Sequence, residues 1–266
     1  MPEPGTAAVH YERQGHVGVI TLDRPDNRNS MTAELLAAFS EACGAAKADG
    51  EARCVVLTGR GNCFSAGADL KAQIQGADDG KPRMPHEKSF AMYTAFLRVL
   101  ELEVPVIAAM QGHAVGGGFG LSLLCDIRLA NEDAKYGANF ARLGLHSGLG
   151  ISYLLPRLVG VSHAAELLFT GRLVSGAEAA RIGIASRAMA GDRVLPEAMT
   201  LAGEIAEAAP AAVRMMKRTL YQGLGWDVRA AALNEAYAQA ATVETADFRE
   251  GMDALLSKRK PSFEGR

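Results

Sequence analysis

No stretch of this 266-residue chain is apolar for long enough to cross a membrane. The longest runs, such as residues 104–110, fall far short of the ~20 residues a spanning helix needs. Basic excess is missing too: 28 Lys and Arg stand against 30 Asp and Glu, a formal net charge of −2. That removes the electrostatic case for nucleic acid or an anionic membrane as partner. Cysteine is scarce, and Cys43, Cys54, Cys63 and Cys125 show neither metal-ligand spacing nor a secreted disulfide framework. They read as buried thiols in a reducing compartment, and no metal is expected. Residues 1–14 lack the charged-then-apolar pattern of a signal peptide, so the cytoplasm is the expected location. There is no Gly-Lys-Ser/Thr loop, and Gly116-Gly-Gly-Phe-Gly120 does not meet the Gly-x-Gly-x-x-Gly spacing. Phosphate transfer and dinucleotide chemistry are set aside on that ground, and no cofactor is expected.

What is present is ordinary globular composition, 48% apolar and 22% charged. Val17–Leu22 and residues 54–58 are short β-rich runs. Between them, residues 32–47 carry Leu35, Phe39 and Cys43 at helical spacing. Val106–Met110 and residues 127–130 read as further strands, with the glycine-rich segment 116–120 and a helix between them. Strand, helix and strand again predict a crossover α/β arrangement with largely parallel pairing. Residues 71–89 are polar, hold Gly76, Gly80, Pro82 and Pro85, and show no apolar period. They read as a long loop, either a lid or a tolerated insertion. Ser175-Gly-Ala-Glu178 has the form of a capping box, with Glu178 reaching back. Beyond it come three apolar stripes: Val213, Met216, Leu220; Leu233, Tyr237, Ala241; and Phe248, Met252, Leu256. These faces need burial, on the chain's own core or on another subunit. We divide the chain into a core, residues 1–190, and a C-terminal helical region, residues 191–266, with no linker that makes them independent.

Two segments of small residues can carry chemistry. Phe64-Ser-Ala-Gly-Ala-Asp-Leu70 follows a strand, and Gln111-Gly-His-Ala-Val-Gly-Gly-Gly-Phe-Gly120 leads from a strand into a helix. Uncovered backbone N–H groups at such places attract negative charge, and glycine permits close approach. If the two converge, paired amides can hold an oxyanion. Each alone is better read as a tight turn that needs small residues.

These segments belong to a longer series of motifs. Arg24-Pro-Asp-Asn-Arg-Asn-Ser-Met31 precedes them, and Cys125-Asp-Ile-Arg128, Leu154-Leu-Pro-Arg-Leu-Val-Gly160, Leu168-Phe-Thr-Gly-Arg172, Ala177-Glu-Ala-Ala-Arg-Ile-Gly183 and Lys258-Arg-Lys-Pro-Ser-Phe263 follow. In that order, over nearly the whole chain, they resemble the enoyl-CoA hydratase/isomerase (crotonase) family. The resemblance implies a spiral of β-β-α turns followed by a C-terminal helical trimerisation region, and a homotrimer or hexamer. It implies an acyl-CoA thioester as substrate or ligand, whose enolate is held by two backbone N–H groups, here those of Ala66 and Gly117. Asp26, Asn27 and Arg28 match the segment along the coenzyme A arm, and Ala66, Gly67, Ala68 and Asp69 match the segment beside its adenine end. Asp69 fits fixing the loop rather than moving protons. Lys258 and Lys260 resemble a basic tail that reaches coenzyme A phosphates, or are a solvated helix end.

The departures from that pattern bear on the reaction. Hydratases of this family use two glutamates, and the matching positions are Gly120 and Phe140, neither of which can carry a proton. Further acidic positions of related isomerases and synthases fall on Gly148 and Ser147. His146 and Ser147 lie beside the expected acyl pocket, where a histidine and a hydroxyl can act in acid–base steps. The bland alternative makes them a polar loop, with Ser147 capping a helix from residue 148. Arg142 can meet a carboxylated acyl group or a surface acid, and His113 reads as a hydrogen-bonded structural histidine.

Overall fold

The computed structural model describes residues 7–68, 84–223, 225 and 228–265. Val9–Gln14 (β1) and Val17–Leu22 (β2) form an antiparallel hairpin closed by two residues, with Gly15 at φ 60°. Helix α1 (Ala33–Ala48) follows, its first turn capped by Thr32 Oγ1 accepting from Leu35 N at 3.2 Å. Leu35, Phe39 and Cys43 are buried along it, so the spacing marked the packed face.

Next come β3 (Cys54–Gly59), β4 (Cys63–Ser65), α2 (Pro85–Leu97), β5 (Val106–Met110), β6 (His113–Val115), α3 (Gly117–Leu123), β7 (Ile127–Asn131) and β8 (Lys135–Gly137). Strands β3, β5 and β7 enter a six-stranded sheet, while β4, β6 and β8 enter a four-stranded one. Each pass of the chain thus lays one strand in each sheet and returns by a helix. That is a spiral of β-β-α turns, as the resemblance implies. Parallel pairs cannot be joined by a tight turn, so each pass needs a long crossover, which here contains a helix. Every residue of β3 and β5 is buried, as expected of parallel strands covered on both faces. Helix α3 is wholly buried.

The chain continues through α4 (Ile151–Thr170), β9 (Val174–Ser175), α5 (Gly176–Arg181), β10 (Arg187–Met189), α6 (Gly191–Ala206), α7 (Pro210–Gly223), α8 (Val228–Val243) and α9 (Ala246–Leu256). Helix α6 lays Val194, Ala198, Ala202 and Ala206 on Val17, Val56, Ile107, Ala109 and Leu129 of the six-stranded sheet. The first helix of residues 191–266 is thus part of the packing of the sheet.

Three local expectations change. Residues 85–89 are no loop, because they open α2 behind Met84; residues 69–83 lie outside the described part. Ser175 does cap α5, accepting from Glu178 N at 3.1 Å. The Glu178 carboxylate does not reach back, since Arg172 holds both its oxygens at 2.9 and 3.2 Å. Ser147 caps nothing, as α4 begins only at Ile151 after Gly150 at φ 70°. Among the described residues, no helix is long and apolar enough to cross a membrane.

Candidate active site

Asn29 ties the site together, and its motif gave no hint of that role. It is fully buried, with φ 53°, after Arg28 at φ 60°. Its Nδ2 donates to the carbonyls of Cys63 at 2.8 Å, Arg60 at 3.1 Å and Phe64 at 3.2 Å. Its Oδ1 accepts from Arg24 N at 2.8 Å, and its carbonyl accepts from Ser65 Oγ at 2.8 Å. One amide side chain thereby fastens residues 24–31 to residues 60–65.

Past Ser65 the two loops run side by side. Ala66 N–H donates to the Arg28 carbonyl at 3.0 Å, and Met31 N–H donates to the Gly67 carbonyl at 2.8 Å. Ala66 N–H is thus committed within the protein, which corrects the expectation that it serves a ligand. Ala68, half-buried and two residues on, has an N–H that no described group accepts.

Gly67 sits at φ 79° and is pressed against the glycine-rich turn. A Cβ there would lie 2.7 Å from Gly117 N and 2.7 Å from Val115 O. The two small-residue segments therefore converge, as the oxyanion reading requires. Gly117 begins α3, and none of the described groups accepts from its N–H. The Met31 sulfur lies over Gly117, where any side chain would collide with it.

The positions matched to the family's glutamates are apolar in their surroundings as well as in identity. A Cβ on Gly120 would meet Leu149 Cδ2 at 3.0 Å, Leu149 Cβ at 3.1 Å and Ile151 Cδ1 at 3.3 Å. Leu149 and Ile151 are buried, and Leu149 adopts φ 54° to enter that space. The Phe140 ring lies against the glycine-rich turn, with Cζ 3.7 Å from where a Cβ on Gly116 would be.

His146 is exposed, and its Nδ1 makes a 2.7 Å hydrogen bond with the Ser147 carbonyl. Arg142 is exposed and donates through Nε to the Thr170 carbonyl at 3.0 Å, closing the end of α4. His113 Nδ1 accepts from Lys135 N at 2.9 Å, a structural role as expected.

Along the segment matched to the coenzyme A arm, Asp26 and Arg28 are exposed and Asn27 is half-buried. The Arg24 guanidinium beside Asp26, at 3.3 Å, holds its carboxyl below the usual range. Asn27 Oδ1 accepts from Ser30 N at 3.2 Å. Asp69 lies outside the described residues. Lys258 and Lys260 are exposed, and Lys260 pairs with Glu207.

The four cysteines are unpaired and buried. Burial pushes the thiols of Cys43, Cys54 and Cys125 up to about 12 and that of Cys63 up to about 11.

The chain matches the model of the family described as Enoyl-CoA hydratase/isomerase over residues 12–266. It is similar to an enoyl-CoA hydratase structure from Bacillus anthracis, with TM-score 0.90 and 34% identity, covering 97% of this chain and 100% of that one. An enoyl-CoA hydratase structure from Mycobacterium smegmatis matches with TM-score 0.86 and 31% identity, over 96% and 98% of the two chains. A crotonyl-CoA hydratase of Syntrophomonas wolfei is 35% identical over 257 residues, 96% of this chain and 97% of that protein.

Proposed function

Because this chain belongs to the enoyl-CoA hydratase/isomerase family, we propose that it binds an acyl-CoA thioester and polarises its carbonyl with the backbone N–H groups of Ala68 and Gly117. The observation that carries this is the contact of Gly67 with Gly117, which brings those two unaccepted donors to one place. A thioester oxygen between them gains negative charge as an enolate forms, and fixed donors favour the enolate over the ground state. Only proline deletes either donor; a bulky residue at position 68 keeps the N–H and acts by excluding the thioester, and a side chain at Gly117 first meets the Met31 sulfur. Asp26, Asn27 and Arg28 line the path assigned to the coenzyme A arm and residues 66–68 the part beside its adenine end; Lys258 supplies positive charge for its phosphates, and Lys260 does so once it parts from Glu207.

Two-glutamate hydration has no residues to perform it here. Leu149 and Ile151 fill the space at Gly120, and an aromatic ring stands at residue 140. Those two observations favour a second reading, an acyl-CoA binding protein without turnover, or a different crotonase-type reaction. Four unpaired cysteines are in keeping with the cytoplasm. A homotrimer or hexamer is supported by apolar side chains left exposed on the C-terminal helices, among them Met216, Leu220, Leu233 and Tyr237.

The test pairs calorimetric titration of crotonyl-CoA with loss of its enoyl-thioester absorbance. Saturable binding is the expected result, and turnover beside it would show that another group does the work of the missing carboxylates. Saturable binding with no loss of absorbance rejects hydration of this ligand and leaves the carrier reading or a different crotonase-type reaction, and absence of binding rejects acyl-CoA as the ligand.

A further inference from the structure

With Gly120 and Phe140 unable to move a proton, the site needs another group for that step, and the structure offers one on α2. Tyr93 is half-buried and packed against the main core. Its ring lies against Gly148: a Cβ there would be 2.6 Å from Tyr93 Cζ and closer still to the hydroxyl oxygen. Gly148 does not have the positive φ that would demand glycine. Its missing side chain is therefore required by the phenol and not by the backbone.

The next residue, Leu149, is the one that fills the space at Gly120, one turn along α3 from Gly117. Tyr93 thus meets the same short segment that closes the glutamate position. Its hydroxyl is also unlike those of the other tightly placed tyrosines. Tyr11 donates to Asp49 at 2.8 Å, Tyr136 to the Met110 carbonyl at 2.9 Å and Tyr221 to Asp126 at 2.7 Å. No described group pairs with the Tyr93 hydroxyl. A half-buried phenol without a partner retains its donor and acceptor for a ligand.

We propose that the Tyr93 hydroxyl touches the acyl end of the bound thioester and carries the proton to and from the carbon beside its carbonyl. The inference rests on the acyl-CoA reading above. In the step, the phenol oxygen takes the proton from that carbon as its own hydrogen passes to solvent water. The C–H electron pair becomes the enolate double bond, and the carbonyl oxygen takes the negative charge under Ala68 and Gly117. Return of the phenol's hydrogen to carbon, with solvent water replacing it on the oxygen, restores the thioester and the neutral phenol. In D₂O the phenol exchanges its hydrogen between the two halves, so the net change is C–H plus D₂O giving C–D plus HDO.

The experiment follows deuterium uptake into butyryl-CoA by mass spectrometry, beside calorimetric Kd values for the same ligand. Two variants are compared with the wild type. Tyr93→Phe keeps the ring and removes the hydroxyl; Gly148→Ala keeps the hydroxyl and pushes the ring aside. Wild-type exchange that falls about 10²-fold or more in Tyr93→Phe, with Kd within about twofold, supports the proposal. Comparable loss in Gly148→Ala supports it by a second route. Equal exchange in wild type and Tyr93→Phe overturns it, as does a wild type that binds butyryl-CoA without exchanging it. Absence of wild-type binding overturns the acyl-CoA reading instead, which the calorimetry shows directly.

Discussion

Gly67 meets two demands at once, a positive φ and contact of its backbone with Gly117 N and Val115 O. Gly67→Ala is expected to cost about 1–3 kcal/mol from backbone strain, with the clash adding to it. Urea unfolding reads the stability, and calorimetry reads the accompanying loss of acyl-CoA affinity. At Gly120 the demand is space alone. Gly120→Glu would push a carboxylate between Leu149 and Ile151 with no partner among their side chains, so it is expected to lower Tm and to gain no crotonyl-CoA turnover. A gain of turnover in that variant would show that the space opens. The uncovered N–H of Gly117 was legible in the sequence because it is local to the start of a helix. That of Ala68 was not, because which N–H of residues 65–68 remains available depends on the Arg28 carbonyl, brought there from a distant loop by Asn29. A run of small residues reveals accessible backbone, and tertiary pairing decides which amide is left over.

Elements differ in how much of themselves the sequence displays. Helix α1 was readable from Leu35, Phe39 and Cys43, and β2, β3, β5 and β7 from their apolar runs. Strands β4, β6 and β8 have three residues each, too few for a period, yet they make up most of the second sheet, and the candidate donors follow shortly after β4 and β6. Among the C-terminal elements, α7 is moored through Lys217 and Tyr221 to Asp126, at 2.9 and 2.7 Å. The tail is moored to α9: Glu250 pairs with Arg259 and accepts from Ser262 N at 2.8 Å, while buried Asp247 accepts from Glu264 N and Gly265 N at 2.7 and 2.9 Å. The Arg259 guanidinium, with the Ser262 N–H second, holds the Glu250 carboxyl down to about 2. A carboxyl lowered in the folded state stabilises it above the ordinary carboxylate range, and that contribution fades as pH falls toward 2. Protection of the Ser262 amide, measured by hydrogen exchange and corrected for intrinsic rate, is expected to persist above about pH 5. It should decline below that, and Glu250→Gln should lose it at neutral pH. Unchanged protection in Glu250→Gln would assign the mooring to Asp247 instead.

Taken as one body, the chain buries its sheets well and its last helices poorly. The apolar stripes read from the sequence are present, but Met216, Leu220, Leu233, Tyr237, Phe248, Met252 and Leu256 all remain exposed in the single chain. Periodicity identified faces that want burial and could not say against what, since a core and a subunit partner present the same chemistry to a helix. Sedimentation is expected to show a trimer or hexamer, and Leu233→Glu with Tyr237→Glu is expected to shift it toward monomer. A wild type that sediments as a monomer would reject that assembly. Deep in the molecule, the four thiols with their raised ionisation have a practical corollary for anyone studying it. Maleimides and aromatic disulfide dyes react with thiolates, and near neutral pH this protein presents almost none. A colorimetric dye can therefore count coenzyme A set free in solution while the protein itself stays unlabelled.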